Sequence, residues 1–175
     1  WILQEEKRGV SHARNRAVKE ARGRVLLFTD DDLRFPSDWM EGMATPILRD
    51  EADAVAGGVE LAEEIRKDWM TPRHKSLLAC TEQIDPDHPR WIVGANMAIS
   101  REVFETIPGF DPELGPGQLG LGGETLLFLQ MREGDFRIET AFDVVVEHCP
   151  DSSRLTWEAW DEAAKKAGRS GADGS

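Results

Sequence analysis

The spacing of apolar residues switches between two periods along the chain. In residues 10–22, Val10, Ala13, Ala17, Val18 and Ala21 recur at three- and four-residue steps and predict an amphipathic helix closed by Gly23. Residues 24–28 then form a compact apolar run, Arg-Val-Leu-Leu-Phe, which predicts a buried strand. Pro36 and Ser37 punctuate the start of a helix to Leu48, with Trp39, Met43 and Ile47 at four-residue steps on its core side. Residues 53–59 read as a short strand broken at Gly57-Gly58, and residues 91–100 as a strand around the small-residue step Gly94-Ala95-Asn96. A short helix over 101–107 stops at Pro108-Gly109, and a helix over 125–133 carries an apolar stripe of Leu127, Phe128 and Met131 before Gly134. Residues 136–139 and 143–148 are expected as two strands, and 154–167 as a last helix. Residues 1–4 read as a strand remnant. Residues 60–90, with Pro72, Pro86 and Pro89, read as loops around a helix near 75–81 that leave His74 and His88 at the surface.

Strands alternating with helices imply an α/β domain, and the length suits one domain with a real core. Charge narrows the partners: 21 Lys+Arg against 33 Asp+Glu give a net −12 with no long basic run, which disfavours nucleic acid and anionic membranes. An anionic ligand would need a local cation, either a metal or a positioned arginine. Cys80 and Cys149 fit no metal-ligand or disulfide pattern, so a reducing, cytoplasmic setting is expected. No apolar stretch is long enough for a membrane-spanning helix. The small-residue tail 168–175 and the non-Met start suggest a fragment, with a core over 1–150 and a C-terminal helix and tail over 151–175.

Candidate chemistry concentrates at strand ends. Thr29-Asp30-Asp31-Asp32 follows the first strand, where ligands bind in open α/β sheets, and hard carboxylate oxygens there suit a divalent cation. A solvated acidic turn is the alternative. Arg14 falls on the apolar side of its helix and so either meets an anion or lays its stem on the core while its head reaches water. Gly94 marks a bulge, a close backbone approach or simple packing. The glycine-rich stretch 110–123 reads as an active-site loop, with disorder as the rival reading, and it delivers Glu124 to the first turn of a helix, where the dipole alone would favour a carboxylate. His148 lies on one face with Val144 and Val146, as core histidines do.

Five stretches in one order resemble the family 2 glycosyltransferases of the GT-A fold. They are Gly9-Val-Ser-His-Ala-Arg-Asn15; Leu27-Phe-Thr-Asp-Asp-Asp32 with Pro36-x-x-Trp39; Gly94-Ala-Asn-Met97 leading to Arg101-Glu-Val-Phe104 and Gly109-Phe-Asp111; Gly122-Gly-Glu124; and Val144-x-x-x-His148. The resemblance implies a nucleotide-diphospho-sugar transferase sheet flanked by helices, here without its N-terminal strands. It implies a D-x-D motif in which Asp30 and Asp32, with His148, hold Mg²⁺ or Mn²⁺. Arg14, Asp30, Asp31, Gly94, Ala95 and Asn96 would bind the donor, a UDP-sugar in first place, and Glu124 would be the base toward a carbohydrate or lipid-linked acceptor. Thr125 stands where the family commonly has a second acid. A Mg²⁺-dependent nucleotidyltransferase and a catalytically silent binding fragment are the rival readings.

Overall fold

The computed structural model describes residues 2–87, 89, 92–114 and 122–172, with 166–172 by backbone alone. The expectations for Trp1, His88, Trp91, the loop segment 115–121 and the end of the tail, 173–175, lie outside these residues.

Among the described residues a five-stranded sheet is built from β1 (Val25–Thr29), β2 (Leu33–Arg34), β3 (Ala54–Leu61), β4 (Asn96–Ser100) and β5 (Ile138–His148), in the order β1-β4-β3-β5-β2. Only β3 and β5 run parallel; the other pairs are antiparallel. Six helices surround it: α1 (Val10–Glu20), α2 (Trp39–Leu48), α3 (Pro72–Leu77), α4 (Val103–Thr106), α5 (Gly123–Glu133) and α6 (Trp157–Ala172), the last preceded by a 3-10 turn, Ser152–Leu155.

The period-2 alternation of the strands separates two apolar layers. Leu26, Phe28, Ala54, Ala56, Met97 and Ile99 point to one face, where they pack with Leu127, Phe128 and Met131 of α5 and with Val18 and Ala21 at α1. Their neighbours Val25, Leu27, Val55 and Ala98 point to the other face and meet Met43 and Ile47 of α2. Each large side chain so buried contributes roughly 1.5–3 kcal/mol. A third cluster, in which Leu61 meets Met70, Leu78, Cys80 and Trp160, fastens α3 and α6 to the far end of β3.

Several elements differ from the sequence reading. β3 is continuous through Gly57-Gly58, and the two strands expected at 136–139 and 143–148 are one strand. Both differences have a single cause. Gly57 pairs with Ala141 but Gly58 with Val145, so residues 142–144 of β5 bulge out of register. Asn96, wholly buried, fills this gap: its Nδ2 donates to the Gly58 and Val144 carbonyls at 2.9 Å each, and its Oδ1 accepts from Trp39 Nε1 at 2.8 Å. A Cβ at Gly57 would collide with that amide. The strand expected over 91–100 starts only at Asn96 because 94 and 95 form a turn, and residues 2–4 adopt no regular structure. The helix placed near 75–81 lies at Pro72–Leu77, started by a Thr71–His74 capping box. His74 is half-buried, its ring perpendicular to those of Trp69 and Trp160.

Candidate functional site

The carboxyl end of β1 places the acidic turn between two side-chain clusters, each organised by an arginine. On the first side, α1 carries Arg14 inward. Its Nη1 donates to Glu124 Oε1, its Nη2 donates to the Gly94 carbonyl at 3.2 Å and lies 3.6 Å from Asp30 Oδ1, and its guanidinium stacks 5.4 Å from the Phe110 ring centre. The side chain is only 11% exposed, so its charge needs partners there, and two carboxylates supply them.

The local sequence explains how these groups meet. Asn15, next to Arg14, clamps the 109–110 turn: its Nδ2 donates to the Phe110 carbonyl at 2.6 Å and its Oδ1 accepts from the Phe110 N–H at 3.0 Å. That clamp fixes the ring on which the arginine lies. Gly94 is the floor beneath the pair: a Cβ there would lie 2.5 Å from Arg14 Nη2 and closer still to Glu124 Oε1. Of the readings open for this glycine, close packing under an ion pair is what the structure displays. Burial raises the Asp30 carboxyl above its ordinary value of 3.8; Arg14 opposes this, while Asp32 and Glu124 add to it.

On the second side, Asp32 faces His148 at the end of β5. Asp32 Oδ2 and His148 Nε2 are 3.1 Å apart, and the main chains are tied by Cys149 N–H donating to the Asp32 carbonyl at 2.8 Å. His148 is 2% exposed, and its Nδ1 is 2.7 Å from the Leu78 carbonyl. A carbonyl only accepts, so Nδ1 carries a proton and donates to it, which leaves Nε2 facing the acidic turn. A hydrogen bond of this kind behind the ring is what orients histidine ligands toward metals. Arg154, from the 3-10 turn, completes this cluster with Nη1 at 3.4 Å from both Asp32 Oδ2 and His148 Nε2.

The sequence-derived residues therefore divide. Arg14, Asp30, Glu124 and Gly94 come together, as do Asp32 and His148. Asp31 is exposed in the turn; Ala95 is buried against Val59 and Val146; Asn96 lies in the core, with its amide committed to the β5 bulge and Trp39. Among the described residues no group of three or more His, Cys, Asp or Glu side chains is drawn together closely enough to hold a metal ion. The Asp32–His148 pair nevertheless fits one, because it offers an oxygen and a nitrogen lone pair at one point. Three contributors escaped the sequence reading: Arg154, the Leu78 carbonyl and the ring of Phe110. Only Phe110 had a signal, its place between Gly109 and Asp111.

The family model described as Glycosyl transferase family 2 matches residues 1–108. Over 117 residues the chain is 26% identical to the glucosyl-dolichyl phosphate glucuronosyltransferase of Haloferax volcanii, an alignment covering 63% of this chain and 37% of that protein. The mannosyltransferase PcManGT from Pyrobaculum calidifontis, solved in complex with GDP-Man and Mn²⁺, superimposes with a TM-score of 0.63 at 20% identity over 93% of this chain and 42% of that one. GalNAc-T7, solved with UDP, GalNAc and Mn²⁺, gives 0.61 at 19% identity over 83% and 31%. These solved structures share the fold. The chain spans well under half the length of the curated relative and of both.

Proposed function

The chain belongs to glycosyl transferase family 2 and has the GT-A fold, and on that premise we propose that it transfers a glycosyl group from a nucleoside-diphosphate sugar to an acceptor hydroxyl, with inversion at the anomeric carbon. A UDP-sugar is the favoured donor, and a carbohydrate or lipid-linked hydroxyl the acceptor. The observation that carries this reading is the pairing of two clusters across one acidic turn: Arg14 with Asp30 and Glu124, and Asp32 with His148.

In this reading Asp30, Asp32 and His148 hold Mg²⁺ or Mn²⁺, with the Leu78 carbonyl fixing the ring that offers Nε2. Bound there, the ion would supply Lewis-acid neutralisation of charge on the departing diphosphate. The presence of Mn²⁺ with GDP-Man in PcManGT and with UDP in GalNAc-T7 supports that assignment. The backbone of Gly94 and Ala95 lines the donor side, Asp31 reaches it from the turn, and Asn96 shapes it from beneath by holding the sheet. Glu124 takes the proton of the acceptor hydroxyl as its oxygen bonds to the anomeric carbon and the bond to the diphosphate oxygen breaks. Arg14 fixes Glu124 Oε1 for that task. Thr125, with no acid to offer, leaves Glu124 as the base.

Calorimetric titration of UDP with and without Mn²⁺ tests the donor half. Binding that requires Mn²⁺ and vanishes in Asp32→Asn supports it; metal-independent binding of UDP, GDP and dTDP alike, or none at all, sinks it. For the acceptor half, Glu124→Gln should keep metal-dependent UDP binding and lose transfer by about 10²–10⁴-fold. A transfer rate equal to wild type would remove Glu124 from the role of base.

A further inference from the structure

Arg154 touches both halves of the Asp32–His148 pair, and the reading above gives it no task. It projects from the 3-10 turn Ser152–Leu155, whose start is fixed by the Asp151 carboxylate accepting from the Ser153 N–H at 2.8 Å. Leu155, its neighbour, packs in the cluster of Leu61, Leu78 and Trp160. The backbone that presents the guanidinium is therefore anchored, while the side chain itself is 48% exposed.

Arg154 Nη1 lies 3.4 Å from both Asp32 Oδ2 and His148 Nε2, which are 3.1 Å apart, so one positive group stands beside both atoms at once. The Leu78 carbonyl takes the Nδ1 side of the ring and leaves Nε2 as the side that faces the carboxylate. A divalent cation that takes Asp32 and His148 as ligands needs those same two atoms.

We infer that Arg154 is the internal counter-ion of this site: in the metal-free protein it stands beside the Asp32 and His148 atoms that a divalent cation would take and competes with the ion for them, so that the ion enters only as the guanidinium leaves. The inference rests on Asp32 and His148 being metal ligands. It gives Arg154 a role in setting the metal affinity of the site and not its shape, because the Cys149 N–H already holds the Asp32 main chain and the Leu78 carbonyl holds the His148 ring. A residue that merely supported the fold would do the reverse, because its loss would loosen the ligands and weaken binding.

The test is titration of Mn²⁺ alone, followed by calorimetry and by the free-ion electron paramagnetic resonance signal, into wild type, Arg154→Gln, Arg154→Lys and Asp32→Asn. Circular dichroism would first confirm that each variant is folded. Removing the competing charge in partly hydrated surroundings should tighten Mn²⁺ by about tenfold in Arg154→Gln. Arg154→Lys, which keeps the charge, should stay near wild type, and Asp32→Asn should lose the site. Unchanged or weaker Mn²⁺ binding in Arg154→Gln, with Asp32→Asn still abolishing it, overturns the counter-ion role and leaves the metal assignment standing. Mn²⁺ binding that ignores Asp32→Asn, or is missing from wild type and Arg154→Gln alike, overturns the metal assignment and the inference with it.

Discussion

On one side of the acidic turn Asp30 is held by an arginine 11% exposed; on the other, Asp32 is touched by one 48% exposed. Both are guanidinium–carboxylate contacts, yet their surroundings give them opposite characters. Arg14 is enclosed by Phe110, the Gly94 carbonyl and Glu124, so losing it strands two acids. Arg154 keeps much of its hydration and holds a place another cation could take. Burial, more than the identity of the pair, separates a fixed strut from an exchangeable counter-ion.

The largest effect that can test this contrast is Arg14→Gln, expected to destabilise the domain by about 2 kcal/mol in urea unfolding. That is short of the roughly 3–5 kcal/mol of a fully buried pair because Asp30 and Glu124 retain some water. A loss under about 0.5 kcal/mol would make the two arginines equivalent. Next, Gly94→Ala should force Arg14 and Glu124 off their floor and cost about 1–2 kcal/mol, with parallel loss of transfer. If its stability equalled wild type, the floor would have no structural weight.

A third arginine supplies a reference far from the turn. Arg137 donates to Asp53 from its main-chain N–H at 2.8 Å, from Nε at 3.2 Å and from Nη2 at 3.1 Å, and these bonds hold the Asp53 carboxyl below its ordinary value of 3.8. A carboxyl lowered in the folded state stabilises above its unfolded value and loses that contribution as pH falls through the folded one. Asp53→Asn should therefore cost about 1 kcal/mol at pH 7, and the gap to wild type should close below pH 3.8, as followed by urea unfolding across pH. A gap that widened toward acid would reverse the sign of this linkage. The smallest change belongs to Arg154→Gln, within about 0.5 kcal/mol of wild type in the same assay; a larger loss would place Arg154 with the struts.

Much of this was legible in the sequence. The acids after an apolar run, the inward Arg14 and the glycine step at 94 all follow from period and residue type, and the order of the motifs pointed to the family that matches residues 1–108. What the sequence left open was partnership. Arg14 needed an anion, and nothing local showed that Asp30 and Glu124, the latter 110 residues away, would both supply it. The two-residue β2 is too short to leave a pattern. Residues 140–142, Thr-Ala-Phe, read as a break because the signal of a bulge is the partner strand's glycine pair, which alternation within one strand does not reveal. Arg154 left no mark because its meaning comes from His148, and that geometry is made by the turn between them.

The bulge at 142–144 also sets the parity of the strand that follows it. Side chains there alternate strictly, with Val146 and His148 inward and Glu147 outward, and His148 stands opposite both Leu33 and Leu61. The bulge is an offset that the ladder absorbs: β3 advances by one residue, from Gly57 to Gly58, while β5 advances by four, from Ala141 to Val145, and from there the pairing runs unbroken to Leu61 and His148. The histidine's place in the site is thus fixed by where the ladder resumes as much as by any contact it makes.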